Sequence, residues 1–284
     1  MKRRGFASVM AAVAVLSLAV VPVVGQTAGS WNPPRTPDGQ PDVQGFWVRA
    51  TGEASPSHSL EEGAEPVARM LEGRDPLLSR GNWIVDPPDG RIPYQPWAAA
   101  KRREHLDPDD RCFLNGATRQ VYTPAGFQLL QTPEYVLLLF DYAHAYRIIH
   151  LDGRPHVGAD IKLWMGDSRG HWEGNTLVVE VTNNNDRPWF DSHGSFYSDA
   201  MRLVERFTSI DANTIRYEAT IDDPRVFTRS WTIELPLARN QEEGFELWET
   251  ACYEGESSAE SMLRAGRLAR KAGRTGVHTH DAKK

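Results

Sequence analysis

Gly174–Thr182, GNTLVVEVT, decides the fold. Gly174-Asn175 is a two-residue hairpin turn. Behind it Leu177, Val179 and Val181 share one face and Glu180 takes the other, the period-two alternation of a half-buried strand. Downstream the pattern repeats in Arg202–Thr208, Thr214–Asp222, Arg229–Leu237 and Glu246–Ala251, with Asp211-Ala212-Asn213 as a tight hairpin. Upstream lie Val43–Ala50, Gln128–Thr132, Tyr135–Tyr142 and Tyr146–Leu151. Gln128–Thr132 and Tyr135–Tyr142 are apolar on both faces, which predicts strands buried on both sides. About eight or nine strands follow one another without helices long enough for crossovers, so the fold is mainly β, an antiparallel meander closed as a barrel, with a β-sandwich as the alternative.

The segments before and after the meander differ in composition. Residues 1–25 read as a signal peptide: Lys2, Arg3 and Arg4 precede an apolar run from Phe6 to Val24, and cleavage is expected near Gly25. Arg3-Arg4 partly matches a twin-arginine signal, and an uncleaved membrane anchor is the competing reading. Residues 26–127 form a linker, the first strand and a long irregular segment punctuated by Pro, such as Asp86-Pro87-Pro88-Asp89-Gly90. Two short helices are expected there, one within Glu61–Leu71 and one over Trp97–His105. Residues 128–255 make the barrel core, and 256–284 a polar tail with a short helix over Ser257–Lys271. The formal charge of −6 argues against a nucleic-acid partner, which requires a concentrated basic face. No second segment is apolar enough to span a membrane, so the mature chain is expected in the periplasm or outside the cell. There the pair Cys112 and Cys252 reads as a disulfide.

Several motifs resemble one family. They are PDGQPDVQGFW at 37–47, IVDPPDGRIP at 84–93, IIHLDGRPH at 148–156, WMGDSRGHWEGNTLVVEVTN from Trp164, LVERFTSIDANTIRYEATIDDP from Leu203 and ETACYEG from Glu249. Together they resemble a large family of exported proteins of soil and environmental proteobacteria and acidobacteria, with GDSRGxWEG as its most specific run. The resemblance implies export and a β-fold and carries no activity. Gly45-x-Trp47 on the first strand also resembles lipocalin-type calycin barrels, some of which decarboxylate phenolic acids without a cofactor.

Candidate chemistry concentrates between Ala145 and Asn183. Glu205 shares a face with Leu203 and Phe207, so its carboxylate points inward, where a general acid or base near neutrality is tuned by burial. An ion pair with a nearby arginine is the competing reading. His156 is the second candidate for proton transfer, and Tyr142 a donor to a developing oxyanion. Arg147, sharing a face with Ile149, suits a substrate carboxylate or phenolate, or else is a structural partner for Glu205 or Asp141. His144, His150, Asp167, Arg169 and Trp164 complete the expected substrate contacts. Gly166-Asp167-Ser168-Arg169-Gly170 reads either as a tight turn with an internal Asp–Arg pair or as part of the barrel mouth. Ser168 lacks the strand–turn–helix setting of a lipase-type nucleophile. No HExxH, phosphate loop or dinucleotide fingerprint occurs, so neither a metal nor a cofactor is expected. The expectation is an exported, cofactor-independent lyase, isomerase, decarboxylase or hydrolase using acid–base chemistry on a small, partly apolar or aromatic molecule in a cavity inside the barrel. A lipocalin-like binding protein is the rival.

Overall fold

A computed structural model describes residues 31–50, 60–61, 83–102, 113–123, 126–191 and 193–247. Its strands are β1 (Gly45–Arg49), β2 (Ile84–Asp86), β3 (Phe127–Gln131), β4 (Tyr135–Phe140), β5 (Tyr146–His150), β6 (Asp167–Glu173), β7 (Thr176–Thr182), β8 (Arg202–Ser209), β9 (Thr214–Asp222) and β10 (Trp231–Arg239). Two short helices, α1 (Pro96–Lys101) and α2 (Ala117–Val121), precede β3. Strands β1 and β3 to β10 pair in chain order, and β1 closes on the end of β10, so nine strands make a barrel; β2 pairs with the start of β10 on the same edge as β1. The sandwich alternative is not realised.

One pairing departs from the expected meander. Strands β5 and β6 run parallel, joined at Ile149↔Ser168 and His150↔Arg169, so the barrel is mixed. A parallel neighbour cannot be reached through a tight hairpin. The chain therefore makes a long excursion, residues 151–166, before β6 begins. A second correction follows from it: Asp167-Ser168-Arg169-Gly170 is not a tight turn but the first half of β6. Ser168 and Gly170 sit opposite the buried Val181 and Val179 and so face the interior. A Cβ on Gly170 would come 2.7 Å from Ile149 Cγ2, and this close approach of β5 requires glycine.

Other differences are local. Strand β4 is buried on one side only: Val136, Leu138 and Phe140 are core, while Tyr135, Leu137 and Leu139 remain half-exposed on the barrel wall. The second face is only partly covered, so a run apolar on both sides does not mean full burial on both. A helix occurs where Trp97–His105 was expected, as Pro96–Lys101, with 103–105 outside the described residues; α2 and β2 occur where irregular chain was expected. Glu246 and Leu247 are not in a strand. The rest of that expected strand, nearly all of the helix over 61–71, the signal segment, the tail, Cys112 and Cys252 lie outside the described residues.

The barrel is filled by inward side chains, among them Trp47, Phe127, Leu129, Leu138, Ile149, Leu177, Phe207, Tyr217 and Trp231. Burying each of these large apolar groups contributes roughly 1.5–3 kcal/mol. Three buried phenols, Tyr122, Tyr197 and Tyr217, have pKa values raised above the ordinary one, first by burial; nearby carboxylates add to the rise, the one beside Tyr217 being Glu205. The folded protein thus keeps protons that the unfolded chain releases near pH 10. Their contribution to stability is complete below about pH 10 and is lost as pH rises beyond it, at up to about 1.4 kcal/mol per pH unit for each phenol. Alkaline titration followed at 295 nm and by circular dichroism should show these three ionising together with unfolding. Independent ionisation of all tyrosines at pH 10 in a still-folded protein would contradict it.

Candidate functional site

The inward residues Arg147 and Glu205 do meet. Arg147 reaches across the barrel from β5 to β8, and both are almost wholly buried. Its Nη1 donates to Glu205 Oε1 at 3.1 Å, its Nη2 donates to Oε2, and its Nε donates to Ser168 Oγ at 2.9 Å. The Tyr217 hydroxyl donates to Glu205 Oε1 at 2.7 Å. Three donors on one carboxylate, two of them a bidentate guanidinium fork, satisfy the pair internally.

A second cluster forms outside this bridge. In β6, Asp167 and Arg169 alternate with the inward Ser168 and Gly170, and so lie beside the 151–166 excursion. Asp167 Oδ2 is 2.8 Å from His156 Nδ1, accepts from Val157 N at 3.2 Å, and is 3.0 Å from Arg169 Nη2. Arg169 Nε also donates to Pro155 O at 3.1 Å. The loop is held from its other side by Asn183, just past β7. Asn183 Nδ2 lies 2.9 Å from Gly158 O, 3.0 Å from Ile161 O and 3.4 Å from Val157 O. Its backbone is left-handed (φ 61°), a conformation that asparagine tolerates better than most residues. Thr182 Oγ1 donates to its Oδ1 at 2.6 Å, which fixes the amide.

The imidazole of His156 is therefore oriented from several directions. A carboxylate can only accept, so with Asp167 ionised the 2.8 Å contact makes Nδ1 the donor. In the neutral ring Nε2 then carries the lone pair, and Nε2 is buried and has no hydrogen-bond partner. His156 is also on the wall of a cavity of about 580 Å³, with Lys162, Glu180, Asp199, Arg202 and Val204. Glu180, Arg202 and Val204 are on the exposed face of β7 and β8, so the cavity is a groove on the barrel's outer side.

The remaining expected residues are elsewhere. Tyr142 and His144 belong to the β4–β5 turn, where Ala143 (φ 59°) and His144 (φ 51°) are both left-handed and Tyr142 O accepts from Gln120 Nε2 at 2.9 Å. His150 packs edge-on to Tyr135 with ring centroids 5.9 Å apart. Burial, then the charges of Arg154 and Arg169, lower its pKa. Trp164 stacks on Phe113 at 5.3 Å and lies under the Arg187 guanidinium. Among the described residues no hydrogen bond or ion pair joins Glu205, His156 and Tyr142, so the sequence candidates fall into separate groups. No three His, Cys, Asp or Glu among the described residues are grouped to hold a metal ion.

Sequence reading missed Asn183 and Tyr217. The run Asn183-Asn184-Asn185 at a strand end was the available signal, since such amides commonly satisfy loop backbone. Tyr217 carried no signal, because an inward tyrosine in an alternating strand reads as core.

Fold and site together define a closed mixed β-barrel with a pre-oriented aspartate–histidine pair beside an external groove. Comparison with known proteins adds no relative: no family model, no curated protein and no solved structure matches this chain.

Proposed function

We propose that this is an exported enzyme that performs acid–base chemistry on a small molecule in the outer groove, with His156 as the proton-transferring group. The observation that carries this reading is the imidazole fixed through Nδ1 by Asp167 on the wall of a cavity large enough for a metabolite, with Nε2 unpartnered but itself buried, so that a ligand meets it only once that ring edge is uncovered. An imidazole has one nitrogen that can donate and one that can accept a proton, so it can serve either direction of proton transfer. Asp167 is a positioning residue: it sets the tautomer and holds the ring, and Arg169 and Asn183 hold the loop that carries it. Arg147 and Glu205 have a structural role, since the Glu205 carboxylate is occupied by three donors within the core. The reaction belongs to the elimination, isomerisation, decarboxylation or hydrolysis class. The leader sequence supports action outside the cytoplasm.

The test begins with the purified mature chain carrying ¹⁵N-labelled histidine. The tautomer is read directly, and Nε2 should be unprotonated in the neutral ring. A panel of small esters, lactones, hydroxy acids, phenolic acids and amino acids is then screened for turnover by mass spectrometry and for perturbation of the His156 resonances. His156→Gln should lower turnover by about 10²–10⁴-fold, the usual range for removing a general acid–base group, with ligand affinity little changed. Asp167→Asn should leave binding intact and lower kcat by disturbing the tautomer. Perturbation of His156 without turnover would make the protein a binder, and silence of His156 throughout the panel would overturn the assignment of this groove.

A further inference from the structure

The charges on the groove wall differ in how far they are committed. Lys162 Nζ is 3.3 Å from Asp199 Oδ2 and donates to Asp199 O at 3.0 Å, and Asp199 Oδ1 accepts from Arg225 Nη1 at 2.6 Å. His156 is taken up by Asp167 through Nδ1. Two full charges remain, Glu180 on β7 and Arg202 on β8, both exposed and both lining the cavity. Among the described residues neither has an ion-pair partner within 4.0 Å, although Asp222 stands opposite Arg202 across the β8–β9 pairing, Arg169 stands opposite Glu180 across β6–β7, and Arg206 is the other diagonal neighbour of Glu180.

Their register makes them a matched pair of opposite sign. Glu180 is directly opposite Val204, and Val181 directly opposite Leu203, so Arg202 is the diagonal neighbour of Glu180 on the same outer face. Diagonal positions on paired strands are about 7–8 Å apart. That gap admits a small group that accepts hydrogen bonds at one end and donates them at the other. Val204, exposed and directly opposite Glu180 on the strand that carries Arg202, adds an apolar side chain to the groove wall beside them.

We infer that the groove takes a small zwitterion of the amino-acid type, its carboxylate on Arg202 and its ammonium on Glu180, within the cavity that His156 lines. This rests on the proposed use of the groove and names the substrate class. A guanidinium binds a carboxylate through two parallel hydrogen bonds, which favours Arg202 as the anion anchor. A carboxylate accepts from an ammonium at the opposite end, which fixes the ligand's direction. Neither charge alone selects a zwitterion over a simple anion or cation; the two together do.

Isothermal titration of the mature chain with L-alanine, propionate and propylamine tests the inference, with L-leucine to probe the apolar part of the wall. At least one amino acid should bind at least tenfold more tightly than both single-charge analogues. Arg202→Gln and Glu180→Gln should each reduce its affinity by about tenfold or more. Both positions are exposed, so loss of fold is not expected, and circular dichroism checks it. Equal binding of propionate would reduce the site to an anion site and overturn the inference, as would unchanged affinity in both variants. Failure of every amino acid to bind also overturns it. If His156 still responds to another compound, and His156→Gln abolishes its turnover, the acid–base reading survives that failure. If His156 stays silent as well, both fall.

Discussion

Glu205→Leu is expected to lower unfolding stability by about 3–5 kcal/mol, the cost of leaving a buried guanidinium without its partner. In this protein the stranded group is Arg147, whose side chain is only 2% exposed, and two of its three hydrogen bonds go to Glu205. Tyr217 would lose its acceptor at the same time. For a domain of this size the loss corresponds to a fall in Tm of roughly 6–20 °C, at about 2–4 °C per kcal/mol. Arg147→Met alone should be similarly severe, because it leaves a carboxylate with only one donor. The informative variant is the double replacement Arg147→Met with Glu205→Leu. Two apolar groups of comparable volume remove both desolvation costs, and buried pairs replaced in this way are often neutral or stabilising. The double variant should recover most of the stability lost by either single one in urea unfolding. It should also keep the response of His156 to ligand, because among the described residues no hydrogen bond or ion pair joins Arg147 or Glu205 to a side chain lining the groove. If both single variants unfold normally, the pair is not a core element. If the double variant folds but His156 no longer responds, the bridge takes part in the function after all.

That separation of core and groove marks the limit of what the sequence made legible. The barrel was readable because period-two alternation over successive strands encodes an inside and an outside. Glu205 was placed correctly on the inside by its spacing from Leu203 and Phe207, and its burial is complete. Its partner was not determined by spacing. Arg147 and Glu205 are 58 residues apart and meet only because the sheet closes. The same closure hid the working groove. Asp167 and Arg169 look like turn residues in the string Gly166-Asp167-Ser168-Arg169-Gly170, since Gly, Asp and Ser favour turns locally. In the fold they are strand residues, because parallel β5–β6 pairing overrides local preference. His156 and Asp167, 11 positions apart, come together only because the excursion between these strands folds back onto the start of β6. Strand β4 shows the converse error, where hydrophobicity on both faces overstated burial because sequence reports transfer preference rather than the presence of a neighbour.

Gly166→Ala tests whether that excursion is built to hold His156, and its effect should be large for two independent reasons. Gly166 has φ +65°, a left-handed conformation that costs an alanine about 1 kcal/mol or more. The added Cβ would also lie 2.5 Å from the backbone oxygen of Thr182 and 2.8 Å from Asn184 Oδ1. The first of these atoms belongs to strand β7 and cannot move without disturbing its pairing with Asp167. Overpacking of this kind adds about 1–3 kcal/mol, so a total loss of about 2–4 kcal/mol is expected. The strain acts at the junction of the loop with β6, one residue before Asp167. Relief by outward movement of the loop would lengthen the 2.8 Å His156–Asp167 contact and the Asn183 contacts with the loop carbonyls. The His156 resonances should therefore shift toward those of an unconstrained histidine even where the protein is still fully folded in the cold. Gly174 is the control: it too has positive φ (61°), but a Cβ there meets nothing within 4 Å. Gly174→Ala should cost only the backbone strain and leave His156 unchanged. Equal effects at the two glycines would mean that the loop is not held by close packing against β7, and the preorganisation assigned to His156 would have lost its structural basis.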